Sequence, residues 1–331
     1  DSCLLSIKMR NDFLDRNLAL EAVRVTEAAA LSSSLHMGRG NEKAADQAAV
    51  NAMRNFLNNL AIDGKVIIGE GERDKAPMLY IGEKVGKGGP KLDIALDPLE
   101  GTTITAHGGE NALSVLAMAE EGGFLHSPDI YMYKIAYGKK YQELEIDPES
   151  PPKEIIKKFS KYSGLKIENI VVCILDRDRH KELINNVRKT GARIKLIPDG
   201  DVSAVIATSI EDSGVDIYMG IGGSPEGVLA AAALRCMGGK IYSKLVFSNN
   251  LEKERANAMG IKDTKKIYTT YDLASGDVMF SATGVTDGTL LKGVLIKNDI
   301  ATTQSVVMRS KSKTVRYVNA SHNLRIKNII K

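Results

Sequence analysis

The stretch from Leu92 to Thr103 limits what this chain can fold into more than any other. Leu92-Asp93-Ile94-Ala95-Leu96 is a mostly apolar run that reads as a buried strand. Asp97-Pro98-Leu99-Glu100-Gly101-Thr102-Thr103 follows at once. Pro98 has no N–H to give a sheet ladder, so the strand is predicted to stop there. Gly101 permits a sharp turn and leaves its amides open to a ligand. Asp97 and Glu100, at the carboxyl end of a strand, suit one oxygen-liganded cation. Two threonine hydroxyls stand beside them, where they can orient a water. Taken alone, the acid pair equally suits a solvated turn.

The 331 residues, 43% of them hydrophobic, are enough for a large core split over two domains or layers. A net charge of +4 is small for this length and argues against a nucleic-acid-binding role. Cys3, Cys173 and Cys236 are widely spaced and show no disulfide framework or zinc spacing, so a reducing, cytoplasmic setting is expected. No apolar run approaches the ~18 residues that span a bilayer, and the amino end lacks the apolar core of a signal peptide.

A first helix is predicted over Leu18–Leu35, and a second over Ala44–Leu60, whose Ala49, Met53, Leu57 and Leu60 recur at helical spacing. Asp46 falls in the first turn of the second helix, where the helix dipole also favours an acid. After the short strand Lys65–Ile68 comes Gly69-Glu70-Gly71-Glu72-Arg73-Asp74, a poor structural element and a good cation cradle, because crowded carboxylates repel unless offset. Strands are expected over Ala112–Ala119 and Ile130–Tyr137. Asp147-Pro148-Glu149-Ser150-Pro151-Pro152 reads as a boundary, giving an amino-terminal α+β domain over 10–150 and a carboxyl-terminal α/β domain over 151–331 to which terminal strands need not belong.

Beyond the boundary, strand alternates with helix, which predicts a parallel, doubly wound sheet. Strands over Ile170–Leu175, Arg193–Ile197 and Val215–Met219 each end in a polar cluster: Arg177, Arg179 and His180; Asp199-Gly200-Asp201; and Gly220–Gly227, leading into a helix over Val228–Met237. Ligands of such sheets bind outside the carboxyl ends of the strands. The glycines match neither a P-loop nor a dinucleotide fingerprint. Further strands are expected over Asp277–Ala282, Leu290–Ile296, Thr302–Met308 and Lys313–Val318. Arg309, Lys311 and Lys313 would share one face of a strand as a solvated edge, with no aromatic platform for nucleic acid.

Residues 97–102 closely resemble the Asp-Pro-Ile/Leu-Asp/Glu-Gly-Thr/Ser signature of the lithium-sensitive, metal-dependent phosphomonoesterases. Phosphate monoester hydrolysis needs charge neutralisation, an in-line water and a stabilised leaving oxygen, which two divalent cations supply. Asp46, Glu70, Asp97, Glu100 and Glu226 offer enough oxygen ligands, and hard cations (Mn²⁺ or Mg²⁺) suit them better than zinc. Arg177 and Arg179 can clamp a second phosphate bidentately. Asp199 and Asp201 can accept hydrogen bonds from sugar hydroxyls.

The resemblance narrows at Gly38-Arg39-Gly40, Ala45–Val50, Ile67–Glu72, Ala76–Tyr80, Pro128–Met132, Ile197–Asp201, Gly220–Gly227 and Phe280–Gly284. These strings, in this order, resemble class II fructose-1,6-bisphosphatase. The resemblance implies a layered α-β-α-β-α sandwich. It also implies Asp46, Glu70, Asp97, Glu100 and Glu226 as metal ligands, and Thr102 as the residue that positions the attacking water, with Glu72 and Asp74 as acidic partners. Substrate contacts implied are Glu100, Gly101, Thr102, Tyr131, Arg177, Arg179, Asp199, Gly200, Asp201 and Gly223. In one departure, Asn41-Glu42-Lys43 sets Glu42 where relatives often carry lysine.

The expected activity is hydrolysis of the 1-phosphate of fructose 1,6-bisphosphate by a metal-activated water, in gluconeogenesis, by a cytoplasmic homo-oligomer (dimer or tetramer) with no nucleic-acid or membrane partner. Sedoheptulose 1,7-bisphosphate, an inositol phosphate, and a non-catalytic sugar-phosphate sensor are the alternatives.

Overall fold

In a computed structural model, residues 2–71 and 78–327 are described. The chain begins with α1 (Ser2–Ser34), α2 (Glu42–Leu57), β1 (Asp63–Ile68), β2 (Lys84–Val85), β3 (Lys91–Glu100), α3 (Thr102–His107), β4 (Leu113–Glu120) and β5 (Tyr131–Tyr137). It continues through α4 (Pro152–Ser163), β6 (Val171–Leu175), α5 (Lys181–Arg188), β7 (Arg193–Ile197), α6 (Asp201–Ala207), β8 (Ile217–Gly223) and α7 (Ser224–Met237). The last elements are β9 (Lys240–Val246), α8 (Asn250–Ala258), β10 (Ile267–Thr269), α9 (Thr270–Leu273), β11 (Val278–Gly284), β12 (Leu295–Lys297), β13 (Ile300–Arg309) and β14 (Thr314–Asn323).

Among the described residues the strands form two sheets. One has the order β12-β13-β11-β4-β3-β1-β2, with β14 paired to β13; the other runs β10-β9-β5-β8-β6-β7. Strand β5, on the amino side of residue 150, sits inside the second sheet, and β11 to β14, far on the carboxyl side, complete the first.

Hydrophobic patterning explains the layering. Helix α7 carries Val228-Leu229-Ala230-Ala231-Ala232-Ala233-Leu234 and is buried on nearly every side. A helix apolar all round has to lie in an interior. Together with α6 it packs between the sheets, in one core shared with Phe280 and Ala117 of the first sheet and Met132 and Ile241 of the second. Helices α1 and α2 cover the outer face of the first sheet through Val25, Ala29, Ala49, Met53 and Leu57. Helices α4 and α5 cover the outer face of the second through Ile155, Phe159, Ile184 and Val187. The result is the expected α-β-α-β-α sandwich.

Several local expectations need correction. The second sheet is mixed, not parallel throughout: β6 runs parallel to β7 and β8, but β5 is antiparallel to β8 and β9. Helix spacing after residue 150 could not reveal that an earlier strand inserts at the centre. Pro98 does not stop β3. The register with β4 shifts between Asp97 and Glu100, so the proline sits in a bulge, where its missing N–H costs no ladder bond. Strand β8 continues through the glycines to Gly223, and α7 starts at Ser224, four residues before the expected start. Strand β12 covers only Leu295–Lys297, because Leu290 and Leu291 are buried as loop residues in the shared core. Residues 310–313 form a turn after β13, so Arg309, Lys311 and Lys313 do not share a strand face. Among the described residues no helix is long and apolar enough to cross a membrane.

Phe280 has no exposed surface and joins the first sheet to the layer of α6 and α7. Phe280→Ala is expected to cost about 3–5 kcal/mol of stability, seen as a lower urea midpoint with an unchanged slope.

Candidate active site

The organising acids sit at the seam between the sheets. Glu100, 5% exposed at the end of β3, accepts a hydrogen bond on Oε1 from Val202 N at 2.8 Å, tying the first sheet to the start of α6. Asp97 Oδ1 accepts from Leu99 N at 3.0 Å across the bulge. Gly101 turns the chain with φ of +93° and puts Thr102 at the first position of α3. Asp46 comes in on α2, whose start is capped by the Asn41 side chain accepting from Ala44 N. Gly38 N and Gly40 N donate to the carbonyls of Thr105 and Ala106, docking the preceding loop on α3. Glu70 follows β1, and Glu226 lies in the first turn of α7.

These residues line one cavity of about 330 Å³: Asp46, Glu70, Asp97, Glu100, Gly101, Thr102, Asp199, Asp201 and Glu226 all contribute to its wall. A larger cleft of about 1490 Å³, behind Tyr141, Arg235 and Tyr271, contains none of the expected site residues. The remaining expected contacts flank the smaller cavity. Arg177 reaches Asp199 at 3.8 Å. Arg179 donates twice to Ile221 O, and its guanidinium stacks 4.7 Å from the Tyr131 ring. Tyr131 in turn pairs with Gly223 across β5 and β8. Gly200 precedes α6 between the two aspartates, with φ of +84°. Glu72 and Asp74 lie outside the described residues. Glu42 and Lys43 are exposed, and neither lines the cavity.

Crowding and burial mark the acids electrostatically. Burial, then the charge of Asp46, pushes the Glu70 carboxyl up to about 8. Burial, then Asp201, pushes Glu226 to about 7, with Lys134 pulling the other way. Burial raises Asp97, helped by Glu70 and Glu226, and raises Glu100, helped by Asp201 and Asp97. Asp46 and Asp199 are also raised by burial.

Two functional candidates, Lys134 and Asp129, escaped the sequence reading, and a third, His180, was placed in a polar cluster without a role. Lys134 is 1% exposed, and its Nζ donates to Asp201 Oδ2 at 2.5 Å and Gly223 O at 2.8 Å. The signal was present: it is the only charged residue in Tyr131–Tyr137. Asp129 lines the cavity just ahead of β5. His180 is buried with Nδ1 2.7 Å from Leu175 O, while Nε2 accepts from Ile221 N at 2.7 Å. Burial lowers its pKa, which fits the neutral ring that this pair of bonds requires.

The donor set fits hard cations. Glu100 Oε2 and Glu226 Oε2 are buried with no hydrogen-bond partner, a costly arrangement unless something positive meets them. Every charged group in the lining is a carboxylate, and neither histidine nor cysteine is present. Among the described residues no three such side chains converge as a ready-made metal cage; the acids stand along the walls instead.

Residues 16–322 match the family described as "Bacterial fructose-1,6-bisphosphatase, glpX-encoded". The chain belongs to the class II fructose-1,6-bisphosphatase family. This is a family of metal-dependent hydrolases. A relative from Synechococcus sp. (strain JA-2-3B'a(2-13)), named D-fructose 1,6-bisphosphatase class 2/sedoheptulose 1,7-bisphosphatase, is 40% identical, over 93% of this chain and 96% of its own length. One from Trichodesmium erythraeum (strain IMS101) with the same name is 41% identical, over 93% and 97%.

The raised Glu70 pKa has a testable consequence. Its folded value of about 8 exceeds the ordinary 4.5, so the folded, metal-free chain keeps a proton that the unfolded chain releases. That contribution to stability is complete at low pH and is lost as pH rises through the folded value. In chelator, wild type is expected to lose melting temperature relative to Glu70→Gln between about pH 5 and about pH 8, and Mn²⁺ to restore more at the upper end. Thermal melts across that range check this; a constant gap between the two proteins counts against it.

Proposed function

We propose that this protein hydrolyses the 1-phosphate of fructose 1,6-bisphosphate, giving fructose 6-phosphate and inorganic phosphate. The observation that carries the reading is one cavity shared by Asp46, Glu70, Asp97, Glu100 and Glu226, with Thr102 among them. Family membership supports the substrate class. The double name of the relatives from Synechococcus and Trichodesmium favours sedoheptulose 1,7-bisphosphate as a second substrate.

In this reading the five carboxylates hold divalent cations, Mn²⁺ or Mg²⁺. When bound, such cations neutralise phosphate charge and lower the pKa of an attacking water. The rest of the work belongs to side chains. Thr102, at the head of α3 on the cavity wall, orients the water in line with the scissile P–O bond. Glu72 and Asp74 act as its acidic partners. Arg177 and Arg179, outside the acidic wall, hold the distal phosphate, since a guanidinium fork matches phosphate oxygens. Tyr131 and the Gly223 backbone flank that end. Asp199 and Asp201 accept hydrogen bonds from the sugar hydroxyls between the two phosphates, and the Gly200 turn holds them apart. Water attacks phosphorus directly, and no phosphoenzyme forms.

We also assign the protein a gluconeogenic role in the cytoplasm, as a homo-oligomer. Cys173 and Cys236, buried and unbridged, are in keeping with a reducing compartment.

The test is phosphate release from fructose 1,6-bisphosphate with Mn²⁺ present and then chelated. One phosphate per sugar, lost on chelation, is expected. Asp97→Asn is expected to lower turnover by more than about 100-fold, because cation stabilisation of the transition state is worth several kcal/mol. Near-normal turnover in that variant would refute the assignment of the acids. Sedoheptulose 1,7-bisphosphate in the same assay decides the second substrate.

A further inference from the structure

Lys134 sits where a lysine is hard to justify on stability grounds. It occupies the middle of β5, opposite Gly220 of β8 and Ser243 of β9, at the centre of the second sheet. Its side chain is 1% exposed. Well-packed apolar residues in place of a buried ion pair are often as stable or more so, and the rest of Tyr131–Tyr137 is apolar or aromatic. The ammonium nonetheless has specific partners: Asp201 Oδ2 at 2.5 Å and Gly223 O at 2.8 Å. Both belong to segments that border the cavity, one at the head of α6 and one at the junction of β8 and α7. The chain is shaped to admit this pair. A Cβ at position 222 would fall 2.1 Å from Asp201 Oδ2 and 2.9 Å from Lys134 Nζ, so only glycine leaves the room.

We propose that Lys134 is a positioning residue for the sugar side of the site, holding the Asp201 carboxylate and the Gly223 carbonyl in the orientation that receives substrate hydroxyls. With Oδ2 committed to the ammonium, Oδ1 is the oxygen with which Asp201 meets the sugar. The charge of Lys134 also lets an acid face a bisphosphate without adding a further uncompensated negative charge to the cavity. This rests on the reading of Asp201 as a sugar contact given above.

The test separates sugar binding from phosphate binding. KM and kcat for fructose 1,6-bisphosphate, and the inhibition constant of inorganic phosphate, are measured with Mn²⁺ on the full chain. Lys134→Met keeps the apolar stem and removes the ammonium. KM is expected to rise about tenfold or more, the scale of one lost charge-assisted hydrogen bond. The phosphate inhibition constant is expected to change less than about twofold, and kcat to change less than KM.

Because Lys134→Met leaves the Asp201 charge buried without its partner, it is also made in an Asp201→Asn background, where no charge is stranded. There it is expected to add less than about twofold to the KM of Asp201→Asn alone. An unchanged KM in folded Lys134→Met, a parallel rise in KM and the phosphate constant, or a further full rise in the Asp201→Asn background each overturn the proposal. A wild type that releases no phosphate overturns the functional reading, and this one with it; an active wild type beside an indifferent variant overturns this one alone.

Discussion

The mutual repulsion of carboxylates drawn into one small cavity is the constraint on which the rest of this structure depends. At an effective dielectric of about 20, two unit charges 4 Å apart repel by about 4 kcal/mol. A folded domain has only about 5–15 kcal/mol to spare. Five acids on one wall therefore cannot all be charged, buried and uncompensated. Burial first, and then the charge of neighbouring acids, raises the pKa of Glu70, Asp97, Glu100 and Glu226. Glu100 Oε2 and Glu226 Oε2 are left buried without a hydrogen-bond partner. Positive charge is built into the site at Asp201 by Lys134, from the opposite sheet, and at Asp199 by Arg177; in the proposed reading cations from solution supply the rest.

Holding such a site together takes a scaffold stiffer than any one loop. Helix α7 touches both sheets, and its first turn carries Glu226. That turn leans on β8, where a Cβ at Gly223 would lie 1.9 Å from Glu226 Oε2, so the strand has to be bare where the carboxylate folds back. Glu100 reaches over to the backbone of α6, and Lys134 reaches from β5 to the same helix. His180 takes the N–H of Ile221 while Arg179 takes its carbonyl. A proposed phosphate-binding arginine is thereby pinned to the strand that leads to a proposed metal ligand. Packing of the two halves and geometry of the cavity are one problem, solved by the same contacts.

Much of this was legible in the residues, and the exceptions have physical causes. The acids of the cavity could be read chiefly because residues 97–102 resemble a known signature; taken alone, the Asp97/Glu100 pair suited a solvated turn equally and Asp46 suited a helix start. The ends of β6, β7 and β8 were placed at one edge correctly, since those three strands do run parallel. The insertion of β5 beside β8 was not legible: strand pairing over such sequence distance leaves no local trace. Pro98 misled for a related reason, because a bulge satisfies the backbone as well as a strand end does, and only the partner strand reveals which occurs. Lys134 was overlooked because a lone lysine in an apolar strand ordinarily suggests an exposed edge. Its partner lies 67 residues away, on another element.

The layout also orders the events of binding. Arg177 and Arg179 do not line the acidic wall; Arg177 meets it at Asp199, and Arg179 is held on Ile221 O and the Tyr131 ring. On the proposed function, a bisphosphate arriving at the metal-free protein meets a guanidinium end that favours phosphate and an acidic end that does not. Net charge over the whole chain is only +4, too little to override the local field of a cluster within a Debye length of about 8–10 Å. In the proposed reading, attraction at the scissile phosphate needs positive charge on the acidic wall, which protonation of the raised carboxyls does not supply. On that proposal, cations bind before the sugar bisphosphate or enter with it as its counterions. The glycine-lined lysine then has a place in that proposed sequence of events: it keeps Asp201, the proposed sugar contact, compensated whether or not the rest of the wall is filled.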